Sequence, residues 1–169
     1  MAKVLLVIAP ENFREEEYFE PKSILENAGM EVVTASLKSG EIYGVNGKKA
    51  IADKVVSEIN PSDFAAIIFV GGPGMAEITD NAQLISLAKK FYQTDKIVAA
   101  ICVAPEILAN AGILNGISAT SWQGSRQKLL AQGVTVVSKP VVWSGKIITA
   151  QGPASAREFG ETIVTALNK

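Results

Sequence analysis

Four short segments of the chain are mostly apolar, and each is five or six residues long. Continuous rather than alternating apolar residues are typical of a parallel strand that is covered on both faces of its sheet. The pattern therefore predicts four buried strands, at residues 4–9, 31–35, 65–70 and 96–101.

Helical periodicity fills the intervals between these strands. Residues 15–28 predict a helix that ends at Gly29, a residue type favoured just past a helix C-terminus. Residues 81–92 predict a second helix, since their apolar side chains fall on one face. Strands that alternate with helices in this way indicate a doubly wound α/β sheet, whose ligand site lies beyond the carboxyl ends of the strands.

Shorter elements are predicted in the rest of the chain. The Asn46-Gly47 pair is a strong two-residue turn signal and indicates a hairpin of residues 41–45 with residues 48–51. A capping box of Ser155 and Glu158 is expected to open the last helix. The remaining predicted elements are strands at 134–137, 141–143 and 146–149 and helices at 104–111 and 153–168.

Composition and charge narrow the function classes. The 169 residues are 48% hydrophobic and 20% charged, which predicts one compact domain over residues 1–169. The net charge is −1, so no strong field attracts nucleic acid or an anionic membrane surface. No apolar run approaches the roughly 18 residues that a bilayer crossing requires. We therefore expect an unprocessed protein without a nucleic-acid or membrane partner.

The counts of cysteine and histidine are also informative, since the chain has one cysteine and no histidine. A single thiol excludes an internal disulfide and fits a reducing, cytoplasmic location. The absence of imidazole excludes Ser-His and Cys-His pairs and histidine metal sites within the chain.

Cys102 lies between the predicted strand 96–101 and the predicted helix 104–111. This placement resembles a nucleophile elbow, in which a tight strand-to-helix turn exposes a reactive side chain above the sheet. A thiol at a helix N-terminus can have its pKa lowered from about 8.5 to between roughly 3.5 and 7.5. The alternative is a buried structural cysteine.

A Gly-Gly-Pro-Gly loop at residues 71–74 follows the predicted strand 65–70. It lacks the Lys-Ser/Thr of a phosphate-binding P-loop and does not match G-x-G-x-x-G. Its glycines would let backbone N–H groups approach a ligand closely. The loop therefore predicts either a simple tight turn or half of an oxyanion hole, in which the N–H groups of Gly72 and Val103 face a charge beside Cys102.

Three acidic residues, Glu15, Glu16 and Glu17, open the first predicted helix directly after Arg14. The helix macrodipole favours carboxylates at this end. For Glu15 and Glu16 a solvated acidic turn is a sufficient interpretation. One of the three could instead face Cys102 across the sheet end, and the spacing alone does not identify which.

These motifs together resemble the PfpI/ThiJ superfamily, which includes peptidase-like proteins and the Parkinson-associated deglycase. The resemblance rests on Glu17 with Pro21 four residues later, on Val-Gly-Gly at 70–72 and on Ala-Ala-Ile-Cys-Val-Ala-Pro at 99–105, and it extends over essentially the whole chain. It implies a flavodoxin-like three-layer α/β sandwich with a mostly parallel central sheet and a cysteine nucleophile elbow. It also implies a homo-oligomer, either a dimer or a hexamer.

The resemblance assigns roles to individual residues as well. It implies that Cys102 is the nucleophile and that Glu17 is an acid hydrogen-bonded to its sulfur. A carboxylate beside a thiolate should have a raised pKa, so Glu17 is expected to be protonated. Such a pair requires no metal and no cofactor, and none is expected. The implied oxyanion- and substrate-binding residues are Gly71, Gly72, Val103 and Trp122.

The chain departs from this family where the family uses histidine. The peptidase-like branch has a histidine directly after the cysteine, where this chain has Val103. Glu77 lies about one position from the place of the acid that a neighbouring subunit contributes there. The deglycase branch often has a histidine where this chain has Trp122. Without imidazole, the usual base for amide hydrolysis is missing, which disfavours peptidase and amidotransferase activity.

The expected function is a cofactor-free cysteine enzyme that acts on small reactive carbonyl compounds or their adducts, in the manner of a glyoxalase or deglycase. A thiol and a carboxyl group without imidazole suit an aldehyde better than an amide. Two alternatives stay open. One is a redox-sensing stress protein or chaperone that uses an oxidisable Cys102, and the other is an intracellular cysteine peptidase or amidase.

Overall fold

A seven-stranded sheet lies at the centre of the structure, a computed structural model that describes residues 1–169. Two further sheets have two strands each. The strands in chain order are β1 (Lys3–Val7), β2 (Glu31–Ser36), β3 (Gly40–Tyr43), β4 (Lys49–Ala52), β5 (Lys54–Val55), β6 (Ala66–Phe69), β7 (Ile97–Ile101), β8 (Ser118–Ala119), β9 (Thr135–Val136), β10 (Val141–Ser144) and β11 (Ile147–Ala150).

The central sheet has the strand order β10-β11-β7-β6-β1-β2-β5, and all neighbours are parallel except β10 and β11. The predicted mostly parallel α/β sheet is therefore confirmed. Strand β1 shows why its residues are continuously apolar. Leu5 and Val7 pack into the core on one face of the sheet, whereas Val4 and Leu6 pack into the core on the other.

Helices cover both faces of this sheet and complete a three-layer sandwich. Helices α1 and α6 pack against each other on the face of Val4 and Leu6, and α3 and α4 cover the opposite face. The short helices α2 and α5 are not predicted by the sequence pattern. No helix has the length and apolarity that a membrane crossing requires. The helices are α1 (Glu15–Asn27), α2 (Pro73–Ala76), α3 (Ala82–Gln93), α4 (Pro105–Asn110), α5 (Arg126–Ala131) and α6 (Ala156–Leu167).

Three local predictions differ from the structure. The predicted hairpin forms as β3 and β4, but residues 44–48 connect its strands instead of two residues. The predicted strand 134–137 shortens to the two residues of β9. The capping box is wrong, because the Ser155 hydroxyl donates to the Gly152 carbonyl oxygen at 2.9 Å and caps no amide of α6.

Candidate active site

Cys102 occupies the turn between β7 and α4, at the carboxyl edge of the main sheet. Its φ is +66°, in the left-handed region that residues other than glycine rarely adopt. The Cys102 N–H donates to the Ala150 carbonyl oxygen at 2.9 Å, and the Cys102 carbonyl oxygen accepts the Trp122 N–H at 2.7 Å. Backbone strain of this kind costs on the order of 1–3 kcal/mol and persists where the surroundings impose it. The predicted nucleophile elbow is present.

Glu17 lies in the first turn of α1 and is fully buried. Glycine at position 71 allows it to approach Cys102, since a Cβ there would lie 2.6 Å from Glu17 Oε1 and 2.7 Å from Cys102 Cβ. The Glu17 carboxyl group interacts with the Cys102 thiol and with the Gly71 N–H, yet neither of its oxygens has a fully formed hydrogen bond. A carboxyl group with spare acceptor capacity beside a thiol is suited to take up the thiol proton.

Glu15 has a structural role that the sequence analysis did not predict. The expectation of a solvated side chain is wrong, because Glu15 is buried and its Oε2 accepts the N–H groups of Asn46 at 2.7 Å and Lys48 at 3.3 Å. Gly44 leaves the space for this carboxylate, since a Cβ there would lie 2.5 Å from Oε2. Glu15 therefore fixes the β3–β4 hairpin against the first turn of α1, beside Glu17.

Burial changes the proton affinity of both members of the Glu17–Cys102 pair. It raises the pKa of Glu17 from 4.5 to about 7, and the Cys102 thiol, Arg14 and the Gly71 N–H oppose this rise. Burial, and then the charge of Glu17, raise the pKa of Cys102 from 9.0 to about 12. The predicted direction for Glu17 is confirmed, but its cause is burial and not the neighbouring sulfur, which lowers the pKa of Glu17. The predicted lowering for the thiol is wrong, because the Val103 N–H at the start of a six-residue helix does not offset burial.

We expect alkylation of Cys102 to accelerate as the pH rises through about 7. The pair then loses its first proton, and the remaining proton can pass from the sulfur to Glu17 during attack. Labelling with iodoacetamide followed by intact mass measures this, since the chain has no other cysteine. Glu17→Gln removes the acceptor and leaves the thiol buried, so the midpoint should move above the ordinary value of about 8.5. The same midpoint in both proteins would contradict a shared proton.

The Cys102 side chain opens onto a cavity of ≈ 390 Å³. This volume suits a small organic molecule. Four of the predicted site residues line the cavity, whereas Glu17 and Gly71 lie outside its lining, against Cys102. No three His, Cys, Asp or Glu side chains are grouped as a metal site would require. The cavity is lined by Arg14, Gly72, Pro73, Ala76, Glu77, Cys102, Val103, Trp122 and Pro153.

Gly72 and Val103 both line this cavity, and the backbone N–H of neither residue donates to another backbone group. The Val103 N–H interacts with the Cys102 sulfur. Gly72 has a φ of +120°, and a Cβ there would lie 2.5 Å from the Arg14 nitrogen and 2.8 Å from the Asn12 carbonyl oxygen, so the position requires glycine. The Gly72 N–H has no backbone acceptor, and together with the Val103 N–H at the sulfur it can donate to an oxygen atom that gains charge there.

Trp122 lines both this cavity and a second one of ≈ 560 Å³. Trp122 is 51% exposed, and its backbone N–H donates to the Cys102 carbonyl oxygen. Arg126 and Gln151 are among the residues that line the second cavity. The expected place of Trp122 beside a substrate is compatible with this position.

Arg14 is a cavity residue that the sequence analysis did not single out. It lies directly before α1, lines the same cavity as Cys102 and makes no ion pair. Its Nε is buried without a hydrogen-bond partner. One signal in the sequence could have indicated it, since a cation at a helix N-terminus opposes the macrodipole and needs another reason to be there.

Relatives of this chain are found over its whole length. A sequence model of the DJ-1/PfpI family matches residues 2–166. An uncharacterized protein of Methanocaldococcus jannaschii is 42% identical, over 99% of this chain and 83% of its own. A deglycase of Pyrococcus horikoshii is 34% identical, over 93% and 96% of the two chains. A putative cysteine protease of Bacillus subtilis is 31% identical, over 99% of both.

Solved structures share the fold. A ThiJ/PfpI domain protein from Brachyspira murdochii has a TM-score of 0.97 at 37% identity, and the match covers 98% of this chain and 96% of the other. Oxidized DJ-1 from Toxoplasma gondii has a TM-score of 0.87 at 30% identity, over 99% and 91% of the two chains.

Proposed function

Because the chain belongs to the DJ-1/PfpI family, we propose that it is a cysteine-dependent enzyme that acts on small reactive carbonyl compounds or their adducts. Relatives named as deglycases and as a putative cysteine protease support an enzymatic activity of this family's type. The observation that carries the proposed chemistry is the pairing of Cys102, in its strained turn, with the buried carboxyl group of Glu17 beside a small cavity.

The first step adds Cys102 to the carbonyl carbon of an aldehyde. A bond forms between Sγ and carbon, the π electrons of the carbonyl group move to its oxygen, and Glu17 accepts the thiol proton. The N–H groups of Gly72 and Val103 donate to the oxygen as its charge develops. Return of the proton to this oxygen gives a neutral hemithioacetal.

For a 2-oxoaldehyde, the second step moves a hydrogen between two carbon atoms. The Glu17 carboxylate removes the hydrogen of the hemithioacetal carbon as a proton, and the resulting enediol takes a proton on the neighbouring carbon. The product is a thioester of a 2-hydroxy acid, which water hydrolyses to the free acid and the Cys102 thiol. The sum adds one water to the oxoaldehyde and needs no external oxidant. A pKa of about 7 suits Glu17 to accept and return a proton near neutral pH.

Amide hydrolysis fits this site less well. Cleavage of an amide requires a group that protonates the leaving amine, a task that histidine performs in Cys-His enzymes. The chain contains no histidine, and Val103 follows the nucleophile. We therefore propose carbonyl chemistry rather than peptide cleavage.

The test compares lactate formation from methylglyoxal by the wild-type protein and by Cys102→Ala. We expect the wild type to form lactate and the variant to fall to the uncatalysed rate, a loss of at least about 100-fold. The variant contains no thiol, because Cys102 is the only cysteine. Any methylglyoxal that the variant still consumes therefore reflects adducts on lysine and arginine side chains. This amount is subtracted from the methylglyoxal that the wild type consumes before it is compared with the lactate formed.

Equal lactate formation by the two proteins would overturn the proposal. A protein that forms no lactate would also overturn it. Treatment with mild peroxide, followed by intact mass, then tests the redox alternative. That alternative expects two added oxygen atoms on the wild type and none on Cys102→Ala.

A further inference from the structure

We infer that Arg14 binds an acid group of the ligand, so that the Cys102 cavity prefers small carboxylates, such as the 2-hydroxy acid that the proposed reaction forms. The inference rests on the proposed function and deepens it, because it concerns the same cavity and names the chemical class of ligand that the cavity binds. It is carried by the position of Arg14, by its lack of a partner and by the shape of its donor group.

The position of Arg14 is fixed by the loop that carries the free amides. The Arg14 N–H donates to the Gly71 carbonyl oxygen at 3.1 Å, and the Gly74 N–H donates to the Asn12 carbonyl oxygen at 3.1 Å. The absence of a side chain at Gly72 lets these two segments touch, since a Cβ there would lie 2.5 Å from the Arg14 nitrogen. These contacts therefore hold the backbone of Arg14 in place at the wall of the Cys102 cavity.

The guanidinium group of Arg14 forms no hydrogen bond or ion pair within the protein, and its charge acts on the Glu17–Cys102 pair only at longer range. Arg14 makes no ion pair, and its Nε is buried without an acceptor. Its two terminal nitrogens, Nη1 and Nη2, are not buried and form no hydrogen bond within the protein, so they can donate to a ligand oxygen in the cavity. The planar fork of arginine donors matches the two oxygens of a carboxylate. These observations favour a small carboxylate as the occupant.

The other charged residue of the cavity lining is Glu77. Its side chain is exposed and forms no ion pair with Arg14, so solvent screens its charge. Glu77 therefore does not neutralise Arg14, and the buried Glu17 carboxyl group lies outside the cavity lining, against Cys102. The proposed reaction agrees with a cationic group here, because hydrolysis of the thioester breaks its C–S bond and leaves the product carboxylate beside the Cys102 sulfur.

Two alkylating reagents of nearly equal size test the inference. Iodoacetate carries a carboxylate next to the reacting carbon, whereas iodoacetamide carries a neutral amide. With either reagent the Cys102 sulfur forms a bond to carbon, iodide leaves with the electron pair, and the thiol proton is lost. The ratio of the two rates cancels any change in the ionisation of Cys102, so it reports only the preference for the acid group.

We expect Arg14→Gln to lower the ratio of the iodoacetate rate to the iodoacetamide rate about tenfold or more, as loss of a charge-assisted hydrogen bond does. Arg14→Lys keeps the charge without the fork and should retain part of the ratio. Arg126→Gln is the matched control, because it removes the same charge from the neighbouring cavity and should change the ratio less than about twofold. An equal ratio in the wild type and Arg14→Gln would overturn the inference.

A second measurement needs no reactive thiol. Trp122 lines the cavity, and Trp143 is the only other tryptophan. In a protein with Cys102→Ala and Trp143→Phe, we expect lactate to change the Trp122 fluorescence at about tenfold lower concentration than lactamide, and Arg14→Gln to abolish this difference. Equal affinities for lactate and lactamide would overturn the inference. An inert Cys102 would defeat the proposed function, and the lactate titration would still decide the acid-group site.

Discussion

The Glu17→Gln protein is expected to be about 3 kcal/mol more stable than the wild type at pH 8 and equally stable at pH 4. In the unfolded chain a glutamate ionises around its ordinary pKa of 4.5, whereas burial keeps the proton on Glu17 until its pKa of about 7. Folding therefore takes up a proton between these two values. The stability that depends on neutral Glu17 is present below about pH 4.5 and is lost as the pH rises through about 7.

Glutamine is neutral at every pH and has nearly the same shape, so it avoids this loss. Urea denaturation at pH 4 and pH 8, with a reductant present, measures the free energy of unfolding. Glu20→Gln is the control, because Glu20 lies in the next turn of α1 and is exposed. It should shift stability by less than about 0.5 kcal/mol at either pH. A gain for Glu17→Gln that is the same at both pH values would show that Glu17 does not carry the buried charge.

Gly74→Ala is expected to lower the free energy of unfolding by about 3 kcal/mol or more. In most helices alanine is the more stable residue, but here a Cβ would lie 1.8 Å from the Glu11 carbonyl oxygen and 3.1 Å from Ala9 Cβ. The clash is with backbone and cannot be relieved by turning a side chain. Relief requires α2 to move away from the segment that leads to Arg14, so the variant should also react more slowly at Cys102.

Urea denaturation and iodoacetamide labelling measure these two effects. Gly29→Ala is the matched control, because Gly29 has a φ of +83° and no atom within 4 Å of an added Cβ. Gly29→Ala should lower the free energy of unfolding only by the strain of a left-handed backbone, roughly 1–2 kcal/mol. Equal losses for Gly74→Ala and Gly29→Ala, with unchanged labelling, would contradict the close approach at Gly74.

The parallel sheet can be predicted from the sequence because each central strand is buried on both faces. Leu5 and Leu6 enter cores on opposite sides of β1, and this requirement leaves a continuous apolar run in the sequence. The position of Cys102 in a strand-to-helix turn can also be predicted, since an apolar strand, a single thiol and a proline follow one another. Short helices such as α2 leave no such trace, because four residues show no periodicity.

The remainder of the site depends on contacts between distant parts of the chain. Glu15 is buried because the hairpin turn presents the N–H groups of Asn46 and Lys48 to it. The high pKa values of Glu17 and Cys102 follow from the depth at which several elements enclose the pair. A local sequence pattern indicates neither the burial of Glu15 nor the raised pKa values. The helix-end argument therefore gave the wrong sign for the thiol.

The two hydrogen bonds that hold the Cys102 turn have a consequence for the newly made chain. One acceptor is the Ala150 carbonyl oxygen, and one donor is the Trp122 N–H, so both partners are synthesised after Cys102 itself. A ribosome-bound chain that ends before residue 150 lacks the strand that fixes the sulfur beside Glu17. The strained turn therefore cannot form until both Trp122 and the strand that carries Ala150 are in place, and a chain without them lacks the hydrogen bonds that impose the turn.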